Sequence, residues 1–249
     1  MRNQKLQQYL NFLVTNGHEV VDTPEKSDVI VLWTCAYRGD VRDNSISEIQ
    51  RYEKQFEGEV IVAGCLPDIA PKLLSEKSSS RVINWRDDED KMEEFFGANN
   101  VKLNQASNIL VEKQFCEDTE KYRKENPDKD ATFHDQFIKL LISEGCNFDC
   151  TYCSERLMFP PYRSFQEEEL VQACRSMVEK TGKHDVILMA DSLGDYGKDI
   201  GTNLPSLIRK LKTIHQNLRV ALNNYNPASF IEYFDDMVGF LKNGDIRHL

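Results

Sequence analysis

The chain has 249 residues, is 40% hydrophobic and 29% charged, and carries a formal net charge of −10, room for two modest domains with cores of their own. That acidity excludes a surface that grips nucleic acid everywhere, so any RNA contact falls to a local patch or to another domain. No apolar run approaches the ~20 residues that cross a bilayer, and Met1-Arg2-Asn3-Gln4-Lys5-Leu6 lacks the apolar core of a secretory signal; a cytoplasmic chain without a membrane anchor is expected, its seven cysteines reduced and able to bind metal.

Residues 1–97 read as helix alternating with strand. Leu6, Leu10, Leu13 and Val14 predict one face of a first helix that stops near Gly17. Asp28 to Cys35 is a short continuous apolar run, which predicts a strand buried on both faces. A helix carrying Ile46, Ile49 and Phe56 follows, then a second buried strand over 59–65 and a third over 81–85, with helical patterns near 67–77 and 88–96. Such alternation predicts a small parallel α/β sheet. Residues 98–135 are crowded with Asn, Gln, Lys, Glu and Asp and broken by Pro127, which predicts a polar connector.

From Phe137 the alternation resumes: strands at 137–143, 185–190 and 218–223, helices at 165–181, 203–216 and 228–242. Ser164 and Glu167 predict a capping box; Asn203 and Pro205 mark the start of the next helix; and Phe230, Ile231, Phe234, Met237, Val238 and Leu241 fall at helical spacing. Three βα units in a row predict the beginning of a (β/α) barrel over 136–249, with 245–249 starting a fourth strand. A part-barrel leaves an open strand edge, so a fragment, a partner or self-association covering that edge is expected.

Cys146, Cys150 and Cys153 form C-x3-C-x2-C directly after the first barrel strand. Three thiolates from one loop suit a [4Fe-4S] cluster held through three irons, with the fourth open to a small molecule. A zinc knuckle is the alternative, but zinc wants a fourth Cys or His, and His134 lies upstream of the strand. Cys174 falls on an apolar helix stripe and predicts packing. Glu167-Glu168-Glu169 suits the first turn of a helix.

With Tyr152 before its last cysteine, the triplet resembles the signature of radical S-adenosylmethionine (radical SAM) enzymes. More narrowly, the chain resembles the methylthiotransferases of that superfamily, through Thr34-Cys35 and Gly64-Cys65-Leu66 at strand ends, residues 24–31, Arg42, residues 193–199 and Asn226-Pro227. The resemblance implies an α/β chain: an N-terminal methylthiotransferase α/β domain at 1–97, a connector at 98–135, and a truncated radical SAM barrel at 136–249. It implies a [4Fe-4S] cluster on Cys146, Cys150 and Cys153 that binds S-adenosylmethionine, with Tyr152, Asp191 and Ser192 beside that cofactor. It further implies cleavage to a 5′-deoxyadenosyl radical and methylthiolation of a modified tRNA adenosine, the threonylcarbamoyl-adenosine type favoured by residues 193–199. A ribosomal protein side chain is the other substrate class, an electron donor such as a flavodoxin the other partner, and a truncated, non-catalytic iron–sulfur protein the other reading. Cys35 and Cys65 would be two ligands of a second [4Fe-4S] cluster whose third falls ahead of Met1; Cys116 has nothing around it to make it a substitute. Trp33 stands where the family has a small polar residue, and Asp191-Ser192 where it has a Gln or Asn pair.

Overall fold

The computed structural model describes residues 2–106 and 137–248. They fall into two compact units, the first comprising 8–106 with 148–161 and the second 2–7, 137–147 and 162–248.

In the first unit Val29–Thr34 (β1), Glu59–Gly64 (β2) and Arg81–Val82 (β3) form a parallel sheet in the order β1-β2-β3. Because side chains alternate along a strand, Val31, Trp33, Ile61 and Ala63 face Tyr9 and Phe12 of α1 (Arg2–Thr15) and Met92 of α5 (Asp88–Phe96). Leu32 and Val62 face Ile46 and Ile49 of α2 (Gly39–Gln55) and Leu74 of α4 (Pro71–Lys77). Between β2 and α4 lies the single turn of α3 (Leu66–Ile69).

Several expectations need correcting. The buried stripe of α1 is Lys5, Gln8, Tyr9 and Phe12, while Val14 is exposed; the amide Nε2 of Gln8 donates to Leu103 O at 3.0 Å, which makes its burial tolerable. In this sheet only β2 is a buried strand, from Val60 to Gly64; β1 is an outer strand of the described sheet and its first five residues are half-buried. The helix expected over 67–77 breaks at Ala70 (φ −134, ψ 53), as the proline that follows dictates. The third strand is two residues long, and Trp85–Asp87 is a 3-10 turn. Leu103 and Ala106 join the core of this unit, so its packing continues past residue 97. Residues 107–136, with Cys116, Pro127 and His134, lie outside the described residues.

In the second unit Ile138–Leu141 (β4), Asp185–Met189 (β7), Arg219–Leu222 (β8) and Ile246–His248 (β9) make a parallel sheet ordered β4-β7-β8-β9. The fourth strand is therefore present, with a register shift between Val220 and Ala221. Two short strands, Ser143–Glu144 (β5) and Arg163–Ser164 (β6), pair antiparallel across the cysteine loop. One face of the large sheet packs on α6 (Glu167–Thr181), α7 (Leu204–Lys212) and α9 (Phe234–Lys242), with Cys174 fully buried among Leu170, Leu207 and Met237. Asn203 caps α7 by accepting from Ser206 N at 2.9 Å. The capping box is not formed: Gln166 is the N-cap of α6, and Ser164 is a strand residue whose hydroxyl is used elsewhere. The last predicted helix divides at Tyr233 into α8 (Pro227–Glu232) and α9, and that change of phase turns Ile231 (74% exposed) and Phe234 (53%) outward.

Candidate functional site

Register delivers the first pair of cysteines. Thr34 pairs with Gly64 in the parallel ladder, so Cys35 and Cys65 follow at adjacent strand ends, roughly one strand spacing (~4.8 Å) apart in backbone. Thr34 Oγ1 donates to Ala63 O at 2.6 Å and Cys65 N to Thr34 O at 3.2 Å. The Ala36 amide donates to Cys65 Sγ at 3.3 Å, so the backbone that leaves Cys35 reaches the other sulfur. Gly64 permits this: its φ is +93 and a β-carbon there would sit 2.3 Å from Thr34 O. Ser45 Oγ holds the Cys35 turn, accepting from Cys35 N at 3.1 Å and donating to Cys35 O at 2.9 Å. Cys65 is buried and Cys35 half-buried.

Cys146 follows β5 in the second unit, and Cys150 and Cys153 belong to residues 148–161 of the first. Within the first unit the 3-10 turn Ser154–Leu157 lies against α3, the turn that follows Cys65, and Arg86 Nε donates to Phe159 O at 3.2 Å. Cys153 N donates to Cys150 O at 3.0 Å, closing the turn that carries both thiols. Tyr152 is 89% exposed; a hydrogen bond with Cys150, then the charge of that thiol, raises its phenol pKa. All three loop cysteines are half-buried, and none of the six described cysteines is in a disulfide. Among the described residues no group of three or more His, Cys, Asp or Glu side chains is gathered as a metal ion requires. The donor set itself, three accessible reduced thiols, fits an iron–sulfur cluster.

At the end of β7, Asp191 Oδ2 accepts from Gly145 N at 2.9 Å, one residue before Cys146. Ser192 is turned inward, its hydroxyl donating to the buried Asp195 carboxylate at 3.0 Å. Lys198 Nζ reaches both Asp195 (3.0 Å) and Glu232 (2.8 Å), and these partners, Glu232 first, raise its pKa.

Two residues here escape sequence reasoning. Glu144 is buried just before the triplet and accepts from Arg163 Nη2 at 2.9 Å, with Lys5 Nζ at 3.9 Å; its only sequence signal is an acid inside an apolar run. Asn224, after β8, is the described non-glycine residue with positive φ (62), a conformation that asparagine tolerates.

Comparison with known proteins bears on both units. The model of "Uncharacterized protein family UPF0004" matches residues 1–84, and that of "Radical SAM superfamily" matches residues 140–242. A probable threonylcarbamoyladenosine tRNA methylthiotransferase of Pyrococcus horikoshii is 28% identical over 236 residues, covering 93% of this chain and 52% of its own length. A threonylcarbamoyladenosine tRNA methylthiotransferase of Xenopus laevis is 27% identical, covering 93% of this chain and 40% of its own length. The ribosomal protein uS12 methylthiotransferase RimO of Acetivibrio thermocellus is 29% identical, with 82% and 46% covered. The chain thus spans about half the length of the curated relatives it matches. Among solved structures, the radical S-adenosylmethionine methyltransferase TsrM of Kitasatospora setae, with cobalamin and a [4Fe-4S] cluster bound, aligns at a TM-score of 0.50 and 10% identity over 90% of this chain and 58% of its own, a likeness of fold.

Proposed function

For a chain that belongs to the radical SAM methylthiotransferase family, we propose a methylthio transfer onto a modified adenosine of tRNA, the threonylcarbamoyl-adenosine type favoured. The observation that carries this reading is the order of parts: paired cysteines at the ends of β1 and β2, then C-x3-C-x2-C after the first barrel strand. Cys146, Cys150 and Cys153 would hold a [4Fe-4S] cluster by three thiolates. When bound with S-adenosylmethionine, that cluster supplies the electron that cleaves the sulfonium. Asp191 holds the Gly145 amide and thereby fixes where Cys146 leaves the strand. Tyr152 stands in solvent beside Cys150, where a flat aromatic ring can cover a bound cofactor. The side-by-side ends of Cys35 and Cys65 offer two thiolates to a second cluster, one short of the number the first has. A protein reductant of the flavodoxin kind, a cytoplasmic setting and a partner across the outer strands belong to the same reading.

The RimO relative matches at a comparable identity to the tRNA-modifying ones, over less of the chain, which makes a ribosomal protein side chain the second reading. The test is anaerobic reconstitution followed by iron and sulfide counts, reductive cleavage to 5′-deoxyadenosine, and mass spectrometry of both substrates for an added methylthio group. Cleavage that is unchanged in Cys150→Ala overturns the reading; a product on the ribosomal protein alone selects the second.

A further inference from the structure

We infer that the segment from Asp191 to Asp199 is a clamp on both roots of the cysteine loop, with Asp191, Tyr196, Gly197 and Asp199 as its positioning residues. The inference rests on the reading that this loop holds an iron–sulfur group.

The roots are β5 on the incoming side and β6 on the outgoing side, paired Ser143 to Ser164 and Glu144 to Arg163. Two strands of two residues are too short to hold themselves. Four hydrogen bonds from one segment complete them. Gly145 N donates to Asp191 Oδ2 at 2.9 Å on the incoming root. On the outgoing root Ser164 N donates to Asp199 Oδ2 at 2.8 Å, Gly197 N donates to Ser164 Oγ at 2.9 Å, and Tyr196 Oη donates to Phe165 O at 2.9 Å.

The clamp is itself braced. Tyr196 is fully buried in the main core of the unit. Gly197 has φ +86, and a β-carbon there would meet Thr202 C at 2.5 Å; Thr202 N donates back to Gly197 O at 2.8 Å. Asp195 is held by Ser192 and Lys198. A loop that must present three thiols to one group loses less conformational freedom when its roots are already fixed. This gives the Tyr-Gly-Lys-Asp run a purpose other than direct contact with substrate.

The test uses the full chain, first without iron, in Asp199→Ala, Asp199→Asn and Tyr196→Phe. Amide hydrogen exchange at Ser164 and the alkylation rate of Cys146, read by peptide mass spectrometry, report the roots. Losing a charge-assisted bond should speed Ser164 exchange roughly ten- to a hundredfold in Asp199→Ala, with faster Cys146 alkylation; Asn keeps an acceptor and should restore both. If Asp199→Ala does not fold, Tyr196→Phe, which deletes one oxygen, carries the comparison. Wild-type exchange and alkylation in Asp199→Ala and Tyr196→Phe overturn the clamp. Loosened roots with wild-type iron and sulfide uptake and an unchanged electron paramagnetic resonance spectrum overturn the positioning role. A wild-type chain that takes up no iron refutes the cluster reading alone, and the exchange and alkylation rates then decide the clamp.

Discussion

Gly64→Ala tests whether the strand ends are as closely joined as the sulfur geometry requires. At φ +93 a residue with a β-carbon sits in a sparsely populated region, which costs roughly 1–3 kcal/mol. The added carbon would lie 2.3 Å from Thr34 O and 2.9 Å from Thr34 N, both rigid backbone, so the ends of β1 and β2 must part. Parting them forfeits the bond from Cys65 N to Thr34 O and the one from Thr34 Oγ1 to Ala63 O, at about 1 kcal/mol each. Against this, alanine lowers the entropy of the unfolded chain by about 0.4–1 kcal/mol. The net loss is about 3 kcal/mol. Both tryptophans of the chain, Trp33 and Trp85, lie in the first unit, so their fluorescence follows the unfolding of that unit. With a urea slope of ~1–3 kcal/mol per molar, the midpoint should fall by about 1 M or more at unchanged slope. A midpoint within ~0.3 M of wild type refutes the argument that Gly64 is what allows Cys65 to approach the turn after Cys35.

Two further outcomes follow from groups away from the cysteine ends. Burial would raise the Glu53 pKa, but the hydroxyls of Ser78 and Ser80 and the amides of Ser79 and Ser80 all donate to its carboxylate and hold it below the usual range. A lowered folded pKa gives stability that is present above the unfolded value of about 4.3 and is lost as pH falls through the folded one. The fluorescence midpoint of the first unit should therefore drop below about pH 4.5 less steeply in Glu53→Gln than in wild type; parallel profiles refute it. Burial pushes the Cys174 thiol up to about 12 from 9.0, so its thiolate fraction near neutral pH falls on the order of a thousandfold. Iodoacetamide should label Cys146, Cys150 and Cys153 in the folded chain and Cys174 only on unfolding; early labelling of Cys174 contradicts its burial.

The alternation of apolar runs with helical stripes made both sheets legible, because each strand's neighbours in a parallel sheet arrive through a helix of its own. Isolated runs do not say which strand is central, and so β1, apolar at every position from Val29 to Trp33, reads like β2 although it has a paired strand on one side only among the described residues. Local signals failed where tertiary bonds outbid them. Ser164 and Glu167 have capping-box spacing, yet the Ser164 hydroxyl accepts from Gly197, far along the chain, and Glu167 accepts from Thr202 Oγ1 at 2.8 Å. Likewise helical spacing from Phe230 to Leu241 could not reveal that Tyr233 leaves the helical conformation. The cysteines were legible as residue types and spacings; which backbone amides and carboxylates hold them was not, since Gly145 and Asp191 meet only after the sheet has formed.

The residues with chemistry to offer share one address in each unit. Cys35 and Cys65 follow the C-terminal ends of β1 and β2. Asp191 follows β7 and Asn224 follows β8, and Cys146 follows β4 by way of the short antiparallel β5. In a parallel sheet every strand delivers its last residue to the same edge, and the turn leaving it is free of the ladder's demands. Such a turn can therefore adopt conformations that a ladder forbids, as Gly64 at φ +93, Gly145 at φ +79 and Asn224 at φ 62 do. Their opposite ends serve stability instead: Asp185, at the start of β7, pairs with Arg219 of β8 and Arg247 of β9. That division explains why Cys65 and Cys146 each come directly after a glycine of positive φ. A side chain can be aimed at a shared ligand only where the main chain is released from its neighbours, and the edge that releases it is the one to which all strands of the sheet point.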